Sequence, residues 1–150
     1  MRDRPLGTAA AVVALWVSTV VGVYGFLSLL LDADVVPQHD AGPFVGPTAT
    51  VLTALALFAL LVLRGTDPLL PVLAAGVAYL GLVLVGAVAY GLAHGIAAAL
   101  AFAGSTATSV FTLAAVVLAA LAGLAHLLVL RARTSGAGRP RWPWEDRFDP

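Results

Sequence analysis

His126 is the residue whose type and position best suit chemistry in this sequence. It lies about one helical turn before Arg131, near the end of a long apolar segment. At helical spacing it shares a face with Ala115 and Ala119, so the ring is predicted to point into a helix bundle. There it could titrate or bind a ligand. The alternative is a structural histidine whose ring bonds to a backbone carbonyl near the membrane interface.

Charged side chains are absent from the apolar segments of the chain. At membrane depth such groups usually mark ion paths, proton relays or substrate sites. A proton-coupled transporter is therefore not expected. A passive pore lined by hydroxyl and backbone groups stays open as an alternative.

Catalytic, metal-binding and cofactor-binding residues cannot be assigned from the sequence. The chain has no cysteine, and it shows no nucleophile–base pair and no phosphate-binding loop. His39 and His94 are predicted on the opposite side of the membrane from His126, so no metal cluster is expected. We therefore expect a protein that is not an enzyme and that needs no cofactor.

His126 and the other candidate residues must be positioned by four apolar segments of the chain. Of the 150 residues, 61% are hydrophobic and 11% are charged, a balance that a soluble domain of this size could not bury. The sequence therefore predicts an all-α integral membrane protein with a four-helix up-and-down transmembrane bundle, since each segment can cross a hydrocarbon core of about 30 Å. The predicted spans are about 9–31, 43–63, 68–92 and 107–130.

The remaining divisions follow from these spans. Residues 1–8 are predicted as the N-terminal segment, residues 9–131 as the transmembrane domain and residues 132–150 as a disordered tail. Residues 93–106 are predicted to break before the fourth span, at Gly104-Ser105-Thr106. Whether they form a loop, an interfacial helix or a re-entrant segment is left open.

The basic residues predict the orientation. With four spans, all eight arginines fall on one side of the membrane, and short loops rich in basic residues stay in the cytoplasm. We therefore expect a multi-pass protein of a bacterial plasma membrane with both termini cytoplasmic. The net charge is zero, so no nucleic-acid partner is expected.

The turn between the second and third spans carries strong local signals. Gly65 is expected to end one helix in the left-handed conformation. Asp67 is expected to cap the next helix, with Pro68 at its first position. Four glycines on the third span recur every five residues, so they do not share a face, and we interpret them as points of local thinning and flexibility. These glycines are Gly76, Gly81, Gly86 and Gly91.

Two rows of small residues are predicted to be packing faces. Small residues let helix backbones approach closely inside a membrane, where the hydrophobic effect does not drive helices together. Trp16, near the middle of the first span, is expected to serve packing or lipid contact. The rows are Ala10, Ala14, Ser18 and Gly22 on the first helix, and Ala115, Ala119 and Gly123 on the fourth.

The tail is a second candidate for interaction. Arg141, Trp142 and Trp144 lie in a proline-rich segment in which a continuous helix cannot form. Such residues suit contact with anionic lipid headgroups or docking on a protein partner. The alternative is a disordered, positively charged anchor.

The layout as a whole resembles small actinobacterial membrane proteins of unassigned function. The resemblance rests on the alanine- and valine-rich spans and on the tail motif Pro140-Arg141-Trp142-Pro143-Trp144-Glu145. It implies four spans, and it implies no activity and no functional residues.

Two functions are weighed on these grounds. The first is a non-catalytic scaffold or accessory membrane subunit, whose partners would be the lipid bilayer and either another membrane protein or further copies of the chain. The alternative is a passive channel, a small-solute permease or a holin-like pore.

Overall fold

The computed structural model describes residues 4–36, 38 and 40–134, and in that part of the chain it contains five helices and no strand. The four long helices are apolar enough to cross a membrane. The predicted all-α class is confirmed, and the helices indicate a multi-pass membrane protein. The helices are α1 (Arg4–Leu31), α2 (Val45–Arg64), α3 (Leu70–His94), α4 (Ile96–Ala107) and α5 (Val110–Thr134).

The central helix of the bundle is α3. It packs against α2, α4 and α5, whereas α1 packs against α5 and α2 at one edge. One end of the bundle, here called the arginine end, holds Arg64, Arg131 and Arg133; the other, here called the His94 end, holds the 32–44 connection and the turn at Gly95. The main core is apolar and rich in alanine. It consists of Trp16, Val20, Ala49, Leu57, Ala74, Ala78, Leu82, Ala115 and Ala119.

The short helix α4 leads into α5, the fourth helix long enough to cross a membrane, and the two are here called the fourth passage. Phe102 of α4 packs against Gly86 of α3, and Gly123 of α5 packs against Ala74, nearer the arginine end. Residues later in α4 and α5 thus lie beside residues earlier in α3, so both helices run antiparallel to α3. Residues 96–107 thus form a short helix that packs against α3 before α5 begins, a point that the sequence left undecided.

The break in this passage lies at Thr108 and Ser109 rather than at residues 104–106, where it was predicted. The Ser109 Oγ accepts a bond from the Phe111 N–H at 3.3 Å, as an N-cap does. The Thr108 hydroxyl donates to the Gly104 carbonyl at 3.3 Å. The hydroxyls therefore satisfy backbone groups at the two helix ends, and the glycine stays inside α4.

Three of the four glycines on α3 make room for a neighbouring helix, which agrees with their interpretation as points of local thinning. A Cβ built on Gly81 would lie 2.5 Å from the Thr53 Oγ1 of α2. A Cβ on Gly91 would lie 2.6 Å from the Ala99 Cβ of α4, and one on Gly86 would meet a ring of α4. Their five-residue spacing suits this role, because α3 has neighbours on more than one side.

The turn between α2 and α3 is closed by Asp67. Its Oδ2 pairs with Arg64 at 3.2 Å, and its Oδ1 accepts the Leu69 N–H at 2.9 Å. Gly65 has φ −52° and ψ −25°, so it does not adopt the expected left-handed conformation. Its lack of a side chain provides space instead, since a Cβ there would lie 2.8 Å from Leu130 Cδ1.

Gly81→Ala should destabilise the bundle, and Gly76→Ala should not. The new methyl group at position 81 meets Thr53, and overpacking of this kind costs about 1–3 kcal/mol. Gly76 is the matched control on the same helix, because a Cβ there has nothing within 4 Å. Thermal unfolding of both variants in detergent micelles measures the difference. Equal melting temperatures would show that α2 and α3 do not approach as closely as described.

Candidate functional site

His126 lies inside the bundle at the arginine end. Its side chain is 0% exposed, and neither ring nitrogen has a hydrogen-bond partner in the described part of the chain. The Leu61 carbonyl of α2 faces the ring, but the contact does not meet hydrogen-bond geometry. The Nε2 atom lies against Gly65, where a Cβ would come within 3.2 Å of it.

Buried apolar residues lie at the same end of the bundle. Leu61, Leu70 and Leu127 form a buried cluster with Ala9 at the same end of the bundle. A buried polar group without a partner costs about 1–3 kcal/mol. His126 is therefore a buried polar side chain that packing alone does not explain.

A second polar group lies at the His94 end, and the sequence did not foresee its arrangement. The Tyr90 hydroxyl donates to the Asp40 Oδ1 at 2.9 Å, and the rings of Tyr90 and His94 stack with centroids 4.3 Å apart. The His94 Nε2 lies 3.6 Å from the Asp40 Oδ2. One signal was available in the sequence: Tyr90 and His94 are four residues apart, and so share a face at the end of α3.

Gln38 extends this group towards α4. Its Nε2 donates to the Ser105 Oγ at 2.8 Å, and that hydroxyl donates to the Phe102 carbonyl at 2.9 Å. The Phe102 ring also stacks on Tyr90 at 5.1 Å. The 32–44 connection is thus attached to both α3 and α4.

A small cavity lies beside the break between α4 and α5. Its volume is about 50 Å³, enough for a few water molecules, since one needs about 10–15 Å³ on this measure. The walls are mainly apolar, and they include the hydroxyl side chains of Tyr24, Thr50, Thr106 and Thr112.

The predicted packing face of the first helix points away from the bundle. Instead, α1 meets the other helices through a different face, on which Ala9, Trp16 and Val20 are at most 2% exposed. The Trp16 Nε1 donates to the Ala115 carbonyl of α5 at 3.2 Å. The sequence did not reveal this bond, because it joins residues 99 positions apart. The outward residues are Ala10, Ala14, Ser18 and Gly22, all of them exposed.

The predicted packing face of the last helix is buried. Ala115 and Ala119 are 0% exposed. At Gly123 a Cβ would lie 3.1 Å from the Ala74 Cβ and from the Leu70 carbonyl oxygen. This face therefore packs against α3, and it leads directly to His126.

The tail residues Arg141, Trp142 and Trp144 lie outside the described residues, as does His39. Among the described residues, no group of three or more histidine, cysteine, aspartate or glutamate side chains is placed to hold a metal ion.

A family model matches residues 2–150, almost the whole chain. The chain belongs to DUF6121, a family of unknown function. Neither the curated proteins nor the solved structures contain a match to it. Membership in DUF6121 agrees with the expectation of a protein of unassigned function. The four helices that are long and apolar enough to cross a membrane agree with the expectation of a membrane protein.

His126→Leu should keep or raise the stability of the protein. Leucine fills a similar volume and removes two ring nitrogens that have no partner, and such a replacement is neutral or stabilising. His126→Ala is the control: it should destabilise the bundle by roughly 2 kcal/mol or more, because it opens a cavity. Thermal unfolding in micelles compares the two variants. A large loss of stability in the leucine variant would show that the ring has a bonding partner.

Proposed function

We propose that this protein is a non-catalytic accessory subunit that binds another transmembrane helix through the outward face of α1. The supporting observation is the position of Ala10, Ala14, Ser18 and Gly22. They line the exposed side of an edge helix, whereas the bundle is held together by other residues.

Contact with lipid alone does not require small residues on this face. Lipid tails pack equally well against leucine and alanine, so rows of small residues serve close approach between helices. A Cβ built on Gly22 has nothing within 4 Å, so the row has no role in packing inside the bundle. A second helix could therefore approach α1 closely at Gly22.

The filled interior also favours a binding role over a passive pore. Trp16, Leu57 and Leu82 are at most 6% exposed and belong to one core cluster. The cavity of about 50 Å³ lies to one side of the break, and at the arginine end Leu61, Leu70 and Leu127 pack together. Permeation through a single copy would require this packing to open.

Gly22→Leu should break up the complex that the wild-type chain forms in its native membrane. The leucine side chain would hold the partner helix away from α1. Gly76→Leu is the matched control, since Gly76 is also an exposed helix glycine with open space around it. Native gel electrophoresis after mild solubilisation measures the size of the complex.

Two results would count against this role. One is a wild-type chain that migrates as a single copy of 15.3 kDa in its detergent micelle. The other is a Gly22→Leu complex of the same size as the wild-type complex. Loss of the complex in both glycine variants would show that bulk alone, and not the α1 face, is responsible.

We further propose that the arginine end lies in the cytoplasm of a bacterial cell. The described arginines Arg64, Arg131 and Arg133 gather at this end, and basic residues near span ends stay on the cytoplasmic side.

The absence of cysteine provides a clean test of this orientation. Ala33 and Thr66 are exposed at opposite ends of the bundle, so Ala33→Cys and Thr66→Cys each introduce a single thiol. A membrane-impermeant maleimide should label Ala33→Cys in intact cells, and Thr66→Cys only after permeabilisation. The reverse pattern would invert the proposed topology.

A further inference from the structure

The spacing between His94 and Asp40 is that of two ligands on one metal ion. The His94 Nε2 lies 3.6 Å from the Asp40 Oδ2, which is too long for a hydrogen bond. Two ligands at the usual distances from a tetrahedral Zn²⁺ are about 3.4 Å apart. A single ion could therefore bridge these atoms with little movement.

A single residue, Tyr90, orients both groups. Its carbonyl oxygen lies 3.1 Å from the His94 Nδ1, and because a carbonyl only accepts, Nδ1 carries the proton there. When the ring is neutral, this tautomer has its lone pair on Nε2. The Tyr90 hydroxyl donates to the Asp40 Oδ1 at 2.9 Å, which leaves Oδ2 free to bind. Metal-ligating histidines and carboxylates are commonly held by contacts of this kind.

We propose that Asp40 and His94 bind a divalent transition-metal ion of the Zn²⁺ type at the His94 end. An imidazole nitrogen with a carboxylate suits Zn²⁺, whereas Ca²⁺ and Mg²⁺ prefer oxygen ligands alone. The His94 side chain is 32% exposed and the Asp40 side chain 62%, so an ion can enter from water and water can complete its coordination. This inference departs from the sequence-based expectation of no metal site, which rested on histidines that lie far apart.

The bound ion would fasten the 32–44 connection to the end of α3. Asp40 belongs to that connection, and His94 comes directly before Gly95, where the chain turns into α4 with φ 89°. The site thus joins two parts of the chain that are distant in sequence. It does not depend on the partner-binding face proposed for α1.

Zn²⁺ titration by isothermal calorimetry tests the site on the full-length protein in micelles, purified without a polyhistidine tag. The wild type should bind one ion per chain. Asp40→Asn and His94→Phe should each abolish saturable binding, although asparagine still accepts the Tyr90 bond and phenylalanine still stacks. Tyr90→Phe keeps both ligands but not the hydroxyl that holds Asp40, so it should bind about 10–100-fold more weakly.

His126→Leu is the control, because it removes a histidine from the opposite end of the bundle and should bind Zn²⁺ as the wild type does. Absence of saturable binding by the wild type would overturn the proposal and leave only a side-chain contact between His94 and Asp40. Undiminished binding by His94→Phe would overturn it equally, since the ion would then be held elsewhere.

Discussion

Close approach between helices at small residues is the constraint on which the rest of this structure depends. Lipid removes the hydrophobic driving force between helices, so dispersion contacts must hold the bundle together. Those contacts are made where α3 meets its neighbours, at Gly81 against Thr53 and at Gly123 against Ala74. A core rich in alanine follows from this, because larger side chains would hold the helices apart.

The broken fourth passage depends on the same close contact. An interruption of a helix inside the bundle leaves backbone N–H and C=O groups without partners, and lipid cannot form hydrogen bonds with them. Here the hydroxyls of Thr108 and Ser109 bond to those groups, and α4 is held against α3 through Phe102 and Gly86. The break can therefore lie beside a cavity without exposing bare backbone to lipid.

Two polar groups lie at opposite ends of the bundle, in different states. At the His94 end, hydrogen bonds of Asp40 and Gln38 connect the 32–44 connection to α3 and α4. In this group the Gln38 Oε1 has no hydrogen-bond partner among the described residues. At the arginine end, His126 is fully buried and has no hydrogen-bond partner within the described residues. The first arrangement holds the connection between helices in place, and the second marks a position that packing alone does not explain.

The sequence by itself determined the helical class, the four long apolar helices and the inward direction of His126, because these follow from composition and from the period of one helix. It could not decide which face of α1 meets the bundle. Its row of small residues was a good packing face, yet Trp16 turns the opposite side inward by reaching the Ala115 carbonyl. It also could not bring Asp40 to Tyr90, since that contact joins residues 50 positions apart. Local patterns record what a segment can do, whereas the choice among its faces and partners is made only when the helices pack.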